Sequence, residues 1–141
     1  MKVVNETKAR EAFEQAIGSY VQEFNHFFLA KLFGLDIRYE ENACIVEFDV
    51  EDYMFNPQGS LHGGIISFAM DVSMGHLLNH LGGPGITLEM KVQFMQPVRS
   101  GKVRAVGTIV KKGRKICFLR SEMYDSEQNL IAHATSTWKL L

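Results

Sequence analysis

The sequence predicts an α+β domain in which an antiparallel sheet wraps one long buried helix, and three observations carry that expectation. The stretch from about Gly63 to Leu81 is apolar on nearly every side, so it must be enclosed rather than laid on a surface. The segments before and after it alternate apolar and polar residues with a period of two, as half-buried strands do. The last segments are joined by hairpin-length turns, which makes neighbouring strands antiparallel.

The chain opens with helical spacing. Ala9, Ala12, Phe13, Ala16, Ile17, Tyr20, Val21 and Phe24 share one face of an amphipathic helix over 7–24, with Glu11, Glu14, Gln15 and Gln22 turned away. A shorter helical piece over 26–33 follows, and Gly34 stops it. Residues 1–34 thus read as an N-terminal helical segment ahead of a main domain over 35–141. Cys44, Val46, Phe48 and Val50 alternate with Ile45, Glu47 and Asp49 to make a strand. Asn56-Pro57-Gln58-Gly59 demands a loop. After the buried helix, Gly82-Gly83-Pro84-Gly85 ends it, and Ile86, Leu88, Met90, Val92 and Phe94 alternate along the next strand. Strands over 102–110, 116–124 and 130–140 complete the sheet, separated by turns at 97–101, 111–114 and 125–129.

Composition narrows the function classes. The 141 residues suffice for one domain with its own core. A formal charge of −1 supplies no global field for nucleic acid or an anionic membrane. No apolar run reaches the ~18–20 residues a membrane span needs, and nothing resembles a signal peptide. The expected setting is therefore cytoplasmic. Cys44 and Cys117 sit inside alternating apolar stretches and read as buried packing thiols in a reducing environment.

The chemistry-bearing stretch is Asn56-Pro57-Gln58-Gly59-Ser60-Leu61-His62-Gly63-Gly64, leading into the helix that carries Asp71. Two glycines at a helix start leave backbone N–H groups open to a ligand, and the helix dipole favours negative charge there. A carbonyl under nucleophilic attack becomes an oxyanion, so the arrangement suits acyl transfer. Close packing of the helix on the sheet explains the same glycines. Asp71 lies between Met70 and Val72, where a carboxylate is costly to bury unless paired or used. A partly exposed helix face is the plainer alternative. Eight residues separate Gly63 from Asp71, about 12 Å of helix rise and about 80° of rotation. They cannot act on one carbonyl within a subunit, whereas a two-fold dimer with neighbouring antiparallel helices could bring them together.

The segment from Asn56 to Asp71 resembles the signature of the hotdog-fold thioesterases, in particular the phenylacetate-degradation (PaaI-like) group of the 4-hydroxybenzoyl-CoA thioesterase superfamily. The resemblance continues through Gly83-Pro84-Gly85-Ile86-Thr87-Leu88-Glu89-Met90, Phe94-Met95-Gln96-Pro97, Lys111-Lys112-Gly113-Arg114, Leu130-Ile131-Ala132 and Trp138. It implies hydrolysis of an acyl-CoA to free acid and coenzyme A by a homo-oligomer, a dimer or a dimer of dimers, with no cofactor. It implies Asp71 as general base or nucleophile and the Gly63 amide as polariser of the thioester carbonyl. His62 would hold that end of the substrate, Asn56 would position the water or thiolate side, and Thr87 would stand near the attacking water. Enclosure by apolar neighbours would raise the carboxyl pKa and make Asp71 a better base.

Lys111, Lys112, Arg114 and Lys115 form either a solvated turn or a site for the coenzyme A phosphates, with Lys111, Arg114 and Lys115 as the binding candidates. Phe68, Met90 and Phe94 are candidate acyl-pocket residues, which core packing explains equally well. His76 and His80 share a helix face at a spacing that suits a metal pair or a packed contact, and no metal site is expected. Two other classes remain open. A non-catalytic acyl-CoA sensor would need an output element, but residues 1–34 balance Lys2, Lys8, Arg10 and Lys31 against Glu6, Glu11, Glu14 and Glu23, which makes no basic recognition helix. A hydratase would need an acid–base pair at the acyl Cα and Cβ, whereas Asp71 with the Asn56–His62 loop suits carbonyl attack.

Overall fold

The computed structural model describes all residues, 1–141. Helices α1 (Glu6–Ser19) and α2 (Phe28–Leu32) precede strands β1 (Asp36–Glu40) and β2 (Ala43–Asp49). The long helix α3 (Gly63–Gly82) follows, then β3 (Gly85–Phe94), β4 (Lys102–Lys112), β5 (Ile116–Tyr124) and β6 (Leu130–Leu140). The six strands form one antiparallel sheet in the order β1-β2-β4-β5-β6-β3. This is the α+β hotdog arrangement, with α3 as the filling and α1 as an addition at the N-terminus.

The pattern of side chains explains the wrapping. Val103, Ala105, Cys117, Leu119, Met123, Ala132, Ala134 and Trp138 are all buried in the main core with Ala69, Met70, Met74, Leu77 and Leu78 of α3. Helix and sheet approach closely at Gly107, where a Cβ would collide with the Ser73 carbonyl. Only glycine allows that contact. The buried Ser73 hydroxyl donates to Met70 O at 2.6 Å and meets Ser121 Oγ at 2.8 Å, so the contact leaves no polar side chain unpaired. Both cysteines are buried free thiols, and burial pushes the Cys44 thiol up to about 12.

Four expectations need correction. First, α1 ends at Ser19, not Phe24. Ser19 Oγ bonds back to Gln15 O at 2.7 Å, and Tyr20 is already extended. Residues 20–27 form a tight turn instead, with Val21 N–H donating to His26 O and Asn25 at φ 73°. Second, the apolar face of α1 is not buried by this chain: Ala16 is enclosed, but Phe13 and Ile17 are each about half exposed. Third, the sheet gains a short edge strand over 36–40, five residues that alternate charged and apolar side chains and pair with β2. Fourth, β3 covers only part of one face: Met90 and Val92 are half-buried against the core. It is an outer strand with a register shift between Thr87 and Glu89, and Ile86, Leu88 and Phe94 stay exposed.

Candidate active site

The loop before α3 is built by its own side chains. Asn56 Oδ1 accepts from the N–H groups of Gln58 and Ser60, both at 3.1 Å, and Asn56 Nδ2 donates to Ser60 Oγ at 3.1 Å. This Asx turn brings the chain back so that His62 N–H reaches Met54 O and His62 becomes the N-cap of α3. His62 Nδ1 accepts the Gly64 N–H at 2.8 Å, which fixes the neutral ring's proton on Nε2. Helix capping thus consumes the Gly64 amide and leaves the Gly63 N–H with no hydrogen-bond partner. Gly63 and Asn56 line a hollow of about 340 Å³ with Phe94, Met95, Gln96 and Pro97.

Asp71 lies elsewhere, in the middle of α3. Because β3 runs back along the helix, it carries Thr87 past Asp71, and Thr87 Oγ1 donates to Asp71 Oδ1 at 2.8 Å. Burial raises the Asp71 carboxyl above the usual carboxylate range, while the Thr87 bond opposes that shift. The carboxylate faces a hollow of about 210 Å³ shared with Phe24, Phe27, Phe68, Gly75, His76 and Trp138. Gly75 makes room for the indole, since a Cβ there would stand 2.6 Å from Trp138 Cη2. Trp138 Nε1 donates to Ser136 Oγ at 2.7 Å, which holds the ring in place.

The structure therefore bonds Asp71 to Thr87 and places Asn56 beside Gly63, with Asp71 in one hollow of the chain and Asn56 and Gly63 in another. Of the candidate acyl-pocket residues, Phe68 lies beside Asp71, Phe94 lies beside Gly63, and Met90 packs against the core instead. Phe24, Phe27 and Trp138 escaped the sequence reading because their spacing is equally that of core packing. The basic cluster is displaced by two residues: Lys111 and Lys112 end β4, and the turn begins at Gly113. Lys112 Nζ donates to Leu81 O at the C-terminus of α3, a favourable place for a cation. Lys111, Arg114 and Lys115 are exposed and make no ion pair. His76 and His80 are engaged separately. His76 Nε2 accepts the Asn25 N–H at 3.2 Å, and His80 stacks on Tyr39 at 4.0 Å between centroids. No group of three or more potential metal ligands is present, and no helix is long and apolar enough to cross a membrane.

Comparison with known proteins agrees with this architecture. The thioesterase superfamily matches residues 58–132, from the Asx-turn loop to β6. The medium/long-chain acyl-CoA thioesterase YigI of Escherichia coli is 27% identical, with 80% of this chain and 85% of that protein covered. Among solved structures, the BH2602 protein of Bacillus halodurans with CoA superposes with a TM-score of 0.88 at 21% identity, covering 100% of this chain and 96% of that one. The PaaI protein of E. coli gives 0.79 at 19% identity, covering 94% and 95%. With the superfamily match spanning more than half its length and the helix-in-sheet fold around it, the chain belongs to the thioesterase superfamily and is a thioester hydrolase with the hotdog fold.

Proposed function

We propose that the protein hydrolyses an acyl-CoA to a free acid and coenzyme A, with Asp71 acting on the thioester carbonyl. The observation that carries this reading is the half-buried Asp71 carboxylate, bonded to Thr87 at 2.8 Å and open to a ring-lined hollow. Asp71 takes the proton of a water as it attacks, the C–S bond breaks, and the coenzyme A thiolate leaves and takes up that proton. In the nucleophilic route Asp71 itself displaces the thiolate, forming an acyl anhydride that water then hydrolyses. Thr87 orients the carboxylate. The carbonyl oxygen takes up negative charge at the Gly63 N–H, where the α3 dipole adds to the hydrogen bond. His62 shapes this end by capping the helix and freeing that amide. Asn56 holds the loop that presents it.

Both halves of this machinery meet only if two copies of the chain share each site. The ten-residue outer strand β3 supports such a homodimer. Its unpaired backbone edge and its exposed Ile86, Leu88 and Phe94 are surfaces that proteins ordinarily cover. Antiparallel pairing of two β3 strands across a two-fold axis sets the two α3 helices side by side in opposite directions. Asp71 of one copy then faces the Gly63 end of the other. Lys111, Arg114 and Lys115 supply free positive charge for the coenzyme A phosphates, and a dimer of dimers is compatible with the same arrangement.

Thiol release from a panel of aryl-, short-, medium- and long-chain acyl-CoAs tests the proposal, comparing the native chain with Asp71→Ala. Turnover that collapses in a folded variant is the expected result. Tight binding without thiol release would replace hydrolysis by acyl-CoA sensing. Equal turnover in both proteins would keep the hydrolase and remove Asp71 from its chemistry.

A further inference from the structure

The segment between α1 and α2 does more than connect them. Its Phe24 ring meets His76 edge-on at 4.8 Å between centroids, and Phe27 lies 5.9 Å from the same imidazole. These three rings border the Asp71 hollow on one side. They also border a second hollow of about 280 Å³, completed by the exposed Gln22 and Glu23. The same three rings line both hollows, with His76 in contact with each phenylalanine, so they stand at the boundary between the two.

The partition is held in place. Asn25, between the two phenylalanines, has the left-handed φ of 73° that few residues other than glycine adopt readily. Its N–H is bonded to His76 Nε2 at 3.2 Å, and its Oδ1 accepts from Tyr39 Oη at 3.4 Å. Phe27 also packs edge-on against Phe68, at 6.1 Å between centroids. The wall is thus tied to α3 through His76 and Phe68, and to β1 through Tyr39.

We propose that Phe24, His76 and Phe27 form the end wall of the acyl pocket and set the longest acyl chain the enzyme accepts. The inference rests on Asp71 marking the position of the thioester carbonyl. An acyl group attached there enters the 210 Å³ hollow between Phe68 and Trp138 and runs toward the wall. A short straight chain ends against the rings; a longer one has to displace them. Removing the Phe24 ring joins the inner hollow to the outer one and lets a longer tail pass toward Gln22 and Glu23.

The test measures kcat/KM over straight-chain acyl-CoAs from butanoyl to hexadecanoyl. For the native chain the value is expected to fall beyond a limiting length. Phe24→Ala moves that limit to longer chains, raising the long-to-short ratio about tenfold or more, the scale of a methylene or two gained in an apolar pocket. Phe24→Trp moves it the other way. Phe24 is 45% exposed, so both variants retain a folded chain to measure. A second readout is independent of catalysis. Trp138 is the sole tryptophan and lines the inner hollow, so its emission reports occupancy by free alkanoates of graded length. The native chain should respond to short alkanoates and Phe24→Ala to longer ones as well. Superimposable length profiles in native and both variants, a native rate that keeps rising to hexadecanoyl, or emission blind to chain length would each overturn the wall. If Asp71→Asn keeps full turnover while the length limit still moves with residue 24, the wall stands and the assignment of Asp71 fails.

Discussion

Thr87 Oγ1 lies 2.8 Å from Asp71 Oδ1, a bond between an outer strand and the central helix that opposes the rise burial imposes on the carboxyl. In the proposed mechanism Asp71 works as a base only when ionised, so turnover should increase with pH through its raised pKa. Thr87→Val removes a donor that favours the ionised form, which drives the pKa further up. The acid limb of kcat/KM against pH is expected to move to higher pH in the variant. An unmoved limb would show that the group titrating in the profile is not Asp71.

Gly63 offers a cleaner test of the proposed oxyanion site than most backbone donors would. It is the first residue of α3, a position that tolerates proline, and His62 before it is extended at φ −61°, ψ 134°, as a residue preceding proline prefers. Gly63→Pro deletes the free N–H and keeps the helix start. A loss of about 10²–10³ in kcat is expected. Gly63→Ala retains the N–H and meets only the Phe94 ring at 3.2 Å, a side chain that can turn aside. Its activity should lie well above that of the proline variant. Equal losses would point to crowding by Phe94 instead.

The proposed sharing of the site across a dimer predicts complementation. Asp71→Asn and Gly63→Pro chains, each inactive alone, should regain activity when refolded together. In a mixed dimer one site has both its intact Asp71 and its intact Gly63, and the other has neither. Random pairing makes about half the dimers mixed, so about a quarter of native activity should return. No recovery in a mixture shown to exchange subunits would place both residues in one chain's own site.

His76 makes stability depend on pH. Burial holds its imidazole down to about 4, from an ordinary 6.5, so the folded chain keeps it neutral while the unfolded chain protonates it. The unfolded state therefore binds more protons between those values, and stability falls as pH drops through that window, by up to about 3 kcal/mol from this residue. Denaturant titrations of the native chain and His76→Phe should show a shallower acid slope in the variant. Parallel slopes would assign the acid sensitivity to other groups.

Much of the fold was legible in the residue pattern because burial writes a period into the chain. The apolar run from Gly63 to Leu81 announced an enclosed helix, and the alternation in β2, β4, β5 and β6 announced strands that each keep one face inward. Asp71 stood out because an acidic residue inside such a run needs a reason, and helix geometry already separated it from Gly63.

Tertiary structure decided what periodicity cannot express. Strand β3 alternates like its neighbours in sequence, but its place at the sheet edge leaves Ile86, Leu88 and Phe94 exposed, because sheet order depends on contacts distant in the chain. Residues 20–24 continue the helical spacing of α1, but the chain turns at Tyr20 because Phe24 and Asn25 gain partners on His76 that a straight helix would deny them. Trp138 and Asp71 lie far apart in sequence, and only the packing of β6 against α3 puts them in one hollow. The sequence by itself determined which residues had to be inside and where the chemistry could begin. The folded chain alone decided which of the buried rings face the carboxylate, since local pattern specifies burial and long-range packing specifies neighbours.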